Sequence, residues 1–128
     1  MKNRCPEEST EQTLLFQWAE YQSGKYPELS LMYHIPNGGS RNKAEAGRLK
    51  AQGVKPGVPD ICLPVARGKY HGLYIELKRV TGGRTSKDQR EWIKSLLDQG
   101  YLAGVCLGWE EAADTLMRYL CRKGERDG

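Results

Sequence analysis

Three residues near the middle of the chain are of the types that metal-assisted hydrolysis requires. Asp60 follows Pro59 in one apolar run, and Glu76 and Lys78 flank Leu77 in a second apolar run sixteen residues later. An ionised carboxylate in such a run is costly to desolvate unless something compensates its charge. The two carboxylates and the Leu77 backbone carbonyl would supply hard oxygen ligands of the kind that Mg²⁺ prefers.

Phosphodiester hydrolysis is a reaction that uses such a group. A bound metal neutralises charge on the scissile phosphate and lowers the pKa of a water, and Lys78 would orient that water or help to deprotonate it. The D…E-x-K pattern is short, however, and it also has a structural interpretation. In that interpretation Glu76 and Lys78 form an ion pair on an exposed edge strand and Asp60 caps a turn.

The elements that must position these residues follow from hydrophobic periodicity and turn residues. The pattern predicts helices over 9–22 (capped by Ser9 or Thr10), 40–52 (capped by Ser40), from Ser86 to Gly100, and 110–121. It predicts strands over 29–35, 58–65, 73–80 and 101–107. The short turn 66–72 indicates an antiparallel hairpin, in which Asp60 and Glu76 can converge. The helix after residue 86 is long enough to make the last two strands parallel.

The order α-β-α-β-β-α-β-α predicts an α/β fold. At 128 residues, we expect one domain over 1–128, with a core over about 9–121 and a polar tail over 122–128. No apolar run approaches the roughly 20 residues that span a bilayer, and the first ten residues do not resemble a secretory signal, so a cytoplasmic location is expected.

The cysteines and histidines do not indicate a zinc site. The four cysteines form no C-x-x-C pair, and neither histidine lies at ligand spacing from them. Cys62 and Cys106 lie in apolar strand-like runs and are predicted to be buried, reduced thiols.

Positive charge is concentrated in the middle of the chain. Residues 30–55 carry five basic side chains and one acidic, and residues 66–94 carry eight basic and three acidic, whereas both ends are net acidic. This distribution suits a phosphate-backbone partner, although a solvated basic surface without a partner would have the same composition.

The motifs around the three residues carry a more specific resemblance. The runs HIPNGG (34–39), LKAQGVKPGVPDICLPVARGKYHGLYIELK (49–78), GGRTSKDQREWI (82–93) and QGY (99–101) resemble the virus-type replication-repair nuclease (VRR-NUC) family of the PD-(D/E)XK superfamily. The resemblance extends from about residue 9 to residue 120, with the motifs in the order that the family uses. It implies a restriction-endonuclease-like core with a mixed four-stranded sheet flanked by helices.

The resemblance also assigns roles to individual residues. Asp60, Glu76 and Lys78 match the family's catalytic positions, and Mg²⁺, or Mn²⁺ in its place, is the implied cofactor. Glu11 falls where the family has an acidic residue that completes the metal site directly or through water. Gln89 falls where it has a glutamine near the active centre. Glu11 could instead favour the macrodipole of its helix, and Gln89 could occupy a solvated helix position.

The resemblance further implies DNA as the partner. Members that consist of the nuclease domain alone resemble phage Holliday-junction resolvases that act as homodimers, which would place this chain in a host cytoplasm. The alternatives are a nuclease of flaps or replication forks and a DNA-binding module without activity. Candidate DNA contacts are Asn37, Gly38, Arg41, Lys43, Arg48, Lys50, Arg84 and Lys87.

Overall fold

A mixed four-stranded sheet forms the centre of the computed structural model, which describes residues 5–36 and 42–122. The strands are β1 (Tyr33–His34), β2 (Ile61–Leu63), β3 (Leu73–Lys78) and β4 (Leu102–Leu107), in the spatial order β1-β2-β3-β4. β1 and β2 are antiparallel, as are β2 and β3, whereas β3 and β4 are parallel. The predicted hairpin and the predicted parallel pair are therefore confirmed.

Four α-helices surround the sheet. They are α1 (Glu8–Gln22), α2 (Lys43–Ala51), α3 (Lys87–Asp98) and α4 (Trp109–Leu120). α1 and α4 pack against each other and both contact β3, while α3 contacts β4. The fully buried side chains Leu15, Leu116 and Leu77 belong to the core where α1, α4 and β3 meet. Among the described residues, no helix is both long and apolar enough to cross a lipid bilayer.

The apolar segment 29–35 is not the strand that its sequence predicts. Residues Pro27–Leu31 form a 3-10 helix, and only Tyr33–His34 form a strand. Pro27 at the helix start fixes φ near the value that a helical turn needs. The buried residues are Leu29 and Met32, which are three apart, so burial follows the three-residue period of a 3-10 helix rather than the two-residue period of a strand.

Several element boundaries also differ from the prediction. Asn42 caps α2, because its side chain accepts hydrogen bonds from the Ala44 and Glu45 N–H groups, whereas Ser40 lies outside the described residues. α1 begins at Glu8, before Ser9 and Thr10. β2 and β3 are shorter than predicted and end at Leu63 and Lys78. As predicted, Ser86 caps α3, and Cys62 and Cys106 are buried free thiols.

Candidate active site

Asp60 lies immediately before β2 and connects three strands. Its carbonyl oxygen accepts a hydrogen bond from the Ile35 N–H (2.6 Å), and His34 Nδ1 lies 3.0 Å from the same oxygen. Its carboxylate Oδ2 accepts a hydrogen bond of 2.9 Å from the Leu77 N–H of β3. These contacts fix both the backbone and the side chain of Asp60 at the end of the sheet.

The position of Asp60 follows from the point where β2 and β3 separate. Their last paired residues at this end are Ile61 and Ile75, so residues 76–78 pair with β4 only. In a strand, the N–H and C=O groups of one residue point to the same edge. Leu77 therefore directs its carbonyl to the edge that β2 has left, on the side where its N–H meets Asp60. The Asp60 carboxylate and the Leu77 carbonyl therefore both lie at the gap between β2 and β3.

Glu76 is a buried acid whose two oxygens have different environments. Oε2 accepts a hydrogen bond from Gln89 Nε2 (2.9 Å) and lies 3.4 Å from Lys78 Nζ. Oε1 is buried and has no hydrogen-bond partner among residues 5–36 and 42–122. Burial raises the pKa of Glu76 to about 8, the negative charge of Asp60 adds to the rise, and Lys78 opposes it. The carboxyl group is therefore held where neighbouring protein groups do not fully compensate its charge.

Gln89 links helix α3 to this acid. Its Oε1 accepts a hydrogen bond from the Ser86 N–H and its backbone N–H donates to Ser86 Oγ, so the two residues form a capping box. The remaining donor of the same amide, Nε2, reaches Glu76. The Ser-x-x-Gln signature is readable in the sequence, but only the structure shows that one side chain both caps the helix and orients the acid.

Lys78 has a second acidic neighbour that the sequence analysis missed. Its side chain is buried, and its Nζ lies 3.9 Å from Glu8 Oε2. Burial raises the pKa of Glu8, Lys78 lowers it, and Asp60 raises it, so Glu8 responds to the charges of the site. Glu8 precedes Glu11 by one helical turn, and this spacing was the signal available in the sequence.

Glu11 is buried and caps helix α4. Its Oε1 accepts a hydrogen bond of 2.8 Å from the Trp109 N–H, the first residue of that helix. The preceding residue, Gly108, has φ +86° and donates its N–H to the Lys78 carbonyl (2.8 Å). Glu11 is thus connected to the end of β3 through the backbone of residues 108 and 109.

Comparison with known proteins decides the family. The VRR-NUC domain family matches residues 6–110. The chain belongs to the VRR-NUC family. It is also similar to a solved structure of a VRR_NUC domain protein, with 31% sequence identity and a TM-score of 0.81 over 96% of this chain and 93% of that one. Among curated proteins, none matches the chain significantly.

The VRR-NUC assignment makes the separation of β2 and β3 the candidate site of a divalent metal. Two features fit such an ion: the buried Glu76 Oε1 lacks a hydrogen-bond partner within the described part of the chain, and Asp60 and the Leu77 carbonyl share the adjacent gap. Across residues 5–36 and 42–122, no group of three or more His, Cys, Asp or Glu side chains is arranged to hold a metal. An ion here would take two carboxylates and a carbonyl and keep several waters, as Mg²⁺ commonly does.

The basic residues predicted to contact DNA are exposed where they are described. Lys43, Arg48 and Lys50 lie on α2, Arg84 lies in the loop after β3, and Lys87 is the first residue of α3. Asn37, Gly38 and Arg41 fall outside the described residues.

Proposed function

We propose that this VRR-NUC chain is a metal-dependent endonuclease that hydrolyses phosphodiester bonds in DNA. The observation that carries the proposal is the proximity of two carboxyl groups where β2 and β3 separate. Asp60 Oδ2 accepts the Leu77 N–H, and the charge of Asp60 raises the pKa of the neighbouring Glu76. Lys78 Nζ lies 3.4 Å from Glu76 Oε2. A site that only bound the phosphate backbone would gain nothing from a buried pair of carboxylates, because they repel phosphate.

Asp60, Glu76 and the Leu77 carbonyl would hold Mg²⁺, for which Mn²⁺ could substitute. The ion would neutralise charge on the scissile phosphate and lower the pKa of a bound water. Glu11 would contribute through water, since its Oε1 already accepts the Trp109 N–H.

The remaining chemistry belongs to Lys78 and Gln89. Lys78 Nζ carries a positive charge beside Glu76 and would place it against the negative charge that develops on the phosphate. The same ammonium group would orient the attacking water. Gln89 holds the Glu76 carboxyl group through its 2.9 Å hydrogen bond, which leaves the other oxygen, Oε1, free to bind the metal.

Cleavage of labelled DNA tests these roles. Lys78→Ala should lower the Mg²⁺-dependent cleavage rate on the order of 100-fold or more, while DNA binding in Ca²⁺ is retained. Lys94→Ala, at an exposed position of α3, should leave the rate unchanged. Equal rates for wild type and Lys78→Ala would contradict the proposed role of Lys78.

We propose further that the protein acts as a homodimer on four-way DNA junctions. Two active sites related by a two-fold axis can cut symmetric strands of a junction, and the exposed basic residues of α2 and α3 offer phosphate contacts. Light scattering that shows a monomer at micromolar concentration would contradict the dimer. Equal cleavage of linear duplex and four-way DNA would contradict the substrate, and preferred cleavage of flaps or splayed forks would favour the fork-type alternative.

A further inference from the structure

A cleft lies between helices α2 and α3, apart from the carboxylates of the candidate active site. It has a volume of about 540 Å³, which is within the roughly 300–1,000 Å³ typical of ligand pockets. One wall is the end of α2 with the following segment 54–56, and the other is the first three turns of α3. The side chains that give this α2–α3 cleft its chemistry are Trp92, Lys50, Lys55, Asp88, Glu91 and Ser95.

The two walls are held together by a contact that requires glycine. Gly57 has φ +90°, and a Cβ built on it would lie 2.7 Å from Asp88 Cβ and 2.8 Å from the Asp88 carbonyl carbon. The segment before Asp60 therefore presses directly on the first turn of α3, and a larger residue would force the walls apart. The α2–α3 cleft is thus a formed feature of the fold.

The cleft is joined to the candidate active site at both walls. Asp88 precedes Gln89, whose side chain donates to Glu76, and Gly57 lies three residues before Asp60. A DNA strand whose phosphate reached Asp60 and Glu76 would therefore pass close to the cleft. This continuity favours nucleic acid as the occupant.

The lining groups match the two parts of a nucleotide. Trp92 is half-buried and offers an indole on which a base can stack, which every base can do because each has a π-face. Lys50 and Lys55 are exposed and can bind the flanking phosphates. A base within a duplex is already stacked on its neighbours, so an aromatic side chain in a cleft selects for an unpaired one.

The carboxylates of Asp88 and Glu91 make the cleft selective for bases that carry an amino group. Asp88 and Glu91 are exposed, and within residues 5–36 and 42–122 neither forms an ion pair within 4.0 Å. They cancel the charge of the two lysines, so the cleft is not a simple phosphate site. Carboxylates accept hydrogen bonds from exocyclic amino groups, which cytosine, adenine and guanine carry and thymine lacks.

We propose that the α2–α3 cleft binds an unpaired, amino-bearing nucleobase of the DNA strand that enters the active site. The inference rests on the proposed function and deepens it, because it names an unpaired base as the feature of the DNA strand that the enzyme recognises. Flaps and splayed forks carry such bases, and a four-way junction exposes one where base pairs open at its branch point. Trp92 stacks on the base, Asp88 and Glu91 accept its amino hydrogens, and Lys50 and Lys55 contact the adjoining phosphates.

Binding of labelled dC12 and dT12 at pH 7.5 without divalent metal, followed by fluorescence anisotropy, tests the proposal. Wild type should bind dC12 several-fold more tightly than dT12. Trp92→Leu should weaken both on the order of 10-fold, and Trp92→Phe, which keeps an aromatic ring, should restore most of the loss. Replacing Asp88 and Glu91 together with Ala should abolish the ratio between dC12 and dT12, whatever it does to overall affinity. Lys94→Ala on the same helix keeps the ratio.

Three results would overturn the proposal. The first is that wild type does not bind dC12. The second is that wild type and Trp92→Leu bind dC12 with equal affinity. The third is that the ratio of the affinities for dC12 and dT12 stays the same when Asp88 and Glu91 are both replaced. A change of oligomeric state in Trp92→Leu with unchanged affinity would assign the cleft to contact between chains instead. Cleavage of DNA in Mg²⁺ is measured separately, so intact cleavage with any of these results rejects the cleft alone. Trp92-dependent binding without cleavage rejects the proposed nuclease activity alone.

Discussion

Glu76 is held in an environment that disfavours its charged form. Burial and the neighbouring Asp60 favour its neutral form and raise its pKa to about 8, while Lys78 favours the ionised form. A carboxyl group with this balance is unfavourable for folding alone and favourable for binding a cation. The sequence could predict the residue types and, because Glu76 and Lys78 are two residues apart in a strand, that these two side chains share one face. It could not predict that Gln89 donates a hydrogen bond to one oxygen of Glu76, nor that the other oxygen has no hydrogen-bond partner among the residues that the structure describes.

The raised pKa predicts the pH dependence of stability. Between its usual 4.5 and about 8, Glu76 holds a proton in the folded chain that the unfolded chain has lost. The folded chain favours the protonated carboxyl group. The stability that protonation of Glu76 provides is therefore fully present below about pH 4.5 and is lost as pH rises through about 8. Glu76→Gln should raise the melting temperature of metal-free protein more at pH 8.5 than at pH 5.5. Thermal melts with exposed Glu20→Gln as control test this, and an equal change at both pH values would contradict it.

Substitution of Gln89 tests whether its hydrogen bond to Glu76 supports metal binding. Gln89→Ala removes the amide that orients Glu76 and half of the capping box, so the metal concentration for half-maximal cleavage should rise about 10–100-fold. The helix should lose only about 0.5–2 kcal/mol of stability. Ser86→Ala serves as the control, because it removes the other half of the box and leaves the bond to Glu76 possible. A similar rise in metal requirement for both variants would show that Gln89 acts only as a cap.

The candidate active site lies where the pairing between β2 and β3 stops. β2 begins after Asp60, whereas β3 continues to Lys78. The carboxyl groups of Asp60 and Glu76 lie at the gap that this leaves between the two strands. The sequence predicts this hairpin because Asp60 and Glu76 interrupt apolar runs that a short turn connects. The prediction of a strand over 29–35 is wrong except at Tyr33–His34, because Pro27 and burial at three-residue spacing favour a 3-10 helix over Pro27–Leu31. The sequence analysis also missed Glu8, whose partner Lys78 is 70 residues away.

Glu11 lies on α1 and caps α4, and this structural role can be separated from its proposed support of the metal. Glu11→Ala leaves the Trp109 N–H without its acceptor and should destabilise the protein by about 1–3 kcal/mol. Glu11→Gln keeps an oxygen acceptor and should retain most of that stability. If Glu11 also supports the metal through water, Glu11→Gln should still require more Mg²⁺. Urea unfolding and metal titration of cleavage measure the two effects, and a Glu11→Gln variant with wild-type metal requirement would restrict Glu11 to the helix cap.

The whole molecule combines an acidic site with basic surroundings. α2 and the start of α3 carry exposed lysines and arginines, and both are connected to the site through Asp60 and Gln89. The motif order 34–101 was sufficient to identify the VRR-NUC family. Turn and helix lengths predicted the β2–β3 hairpin and the parallel β3–β4 pair, but not the pairing of β1 with β2. The cleft proposed to bind a nucleobase combines side chains from distant segments, such as Trp92 and Lys55, so sequence spacing could not reveal it.

Salt dependence tests the phosphate contacts of the molecule as a whole. Replacing Lys43 and Lys87 together with Ala should weaken DNA binding similarly for all sequences and reduce the slope of log affinity against log salt by about 2. Lys69→Ala is the control, because Lys69 lies in the turn at the far end of the β2–β3 hairpin. An unchanged slope for the double variant would remove Lys43 and Lys87 from the DNA interface.

The most direct test of the central claim compares wild type with Asp60→Asn. Asparagine keeps an oxygen that can accept the Leu77 N–H, so the fold should persist while the charge of one proposed metal ligand is lost. We predict that Asp60→Asn binds DNA in Ca²⁺ as wild type does and has no measurable Mg²⁺-dependent cleavage. Exposed Asp98→Asn on α3 should cleave normally. Wild-type cleavage by Asp60→Asn, or cleavage by wild type that persists in excess chelator, would contradict the account.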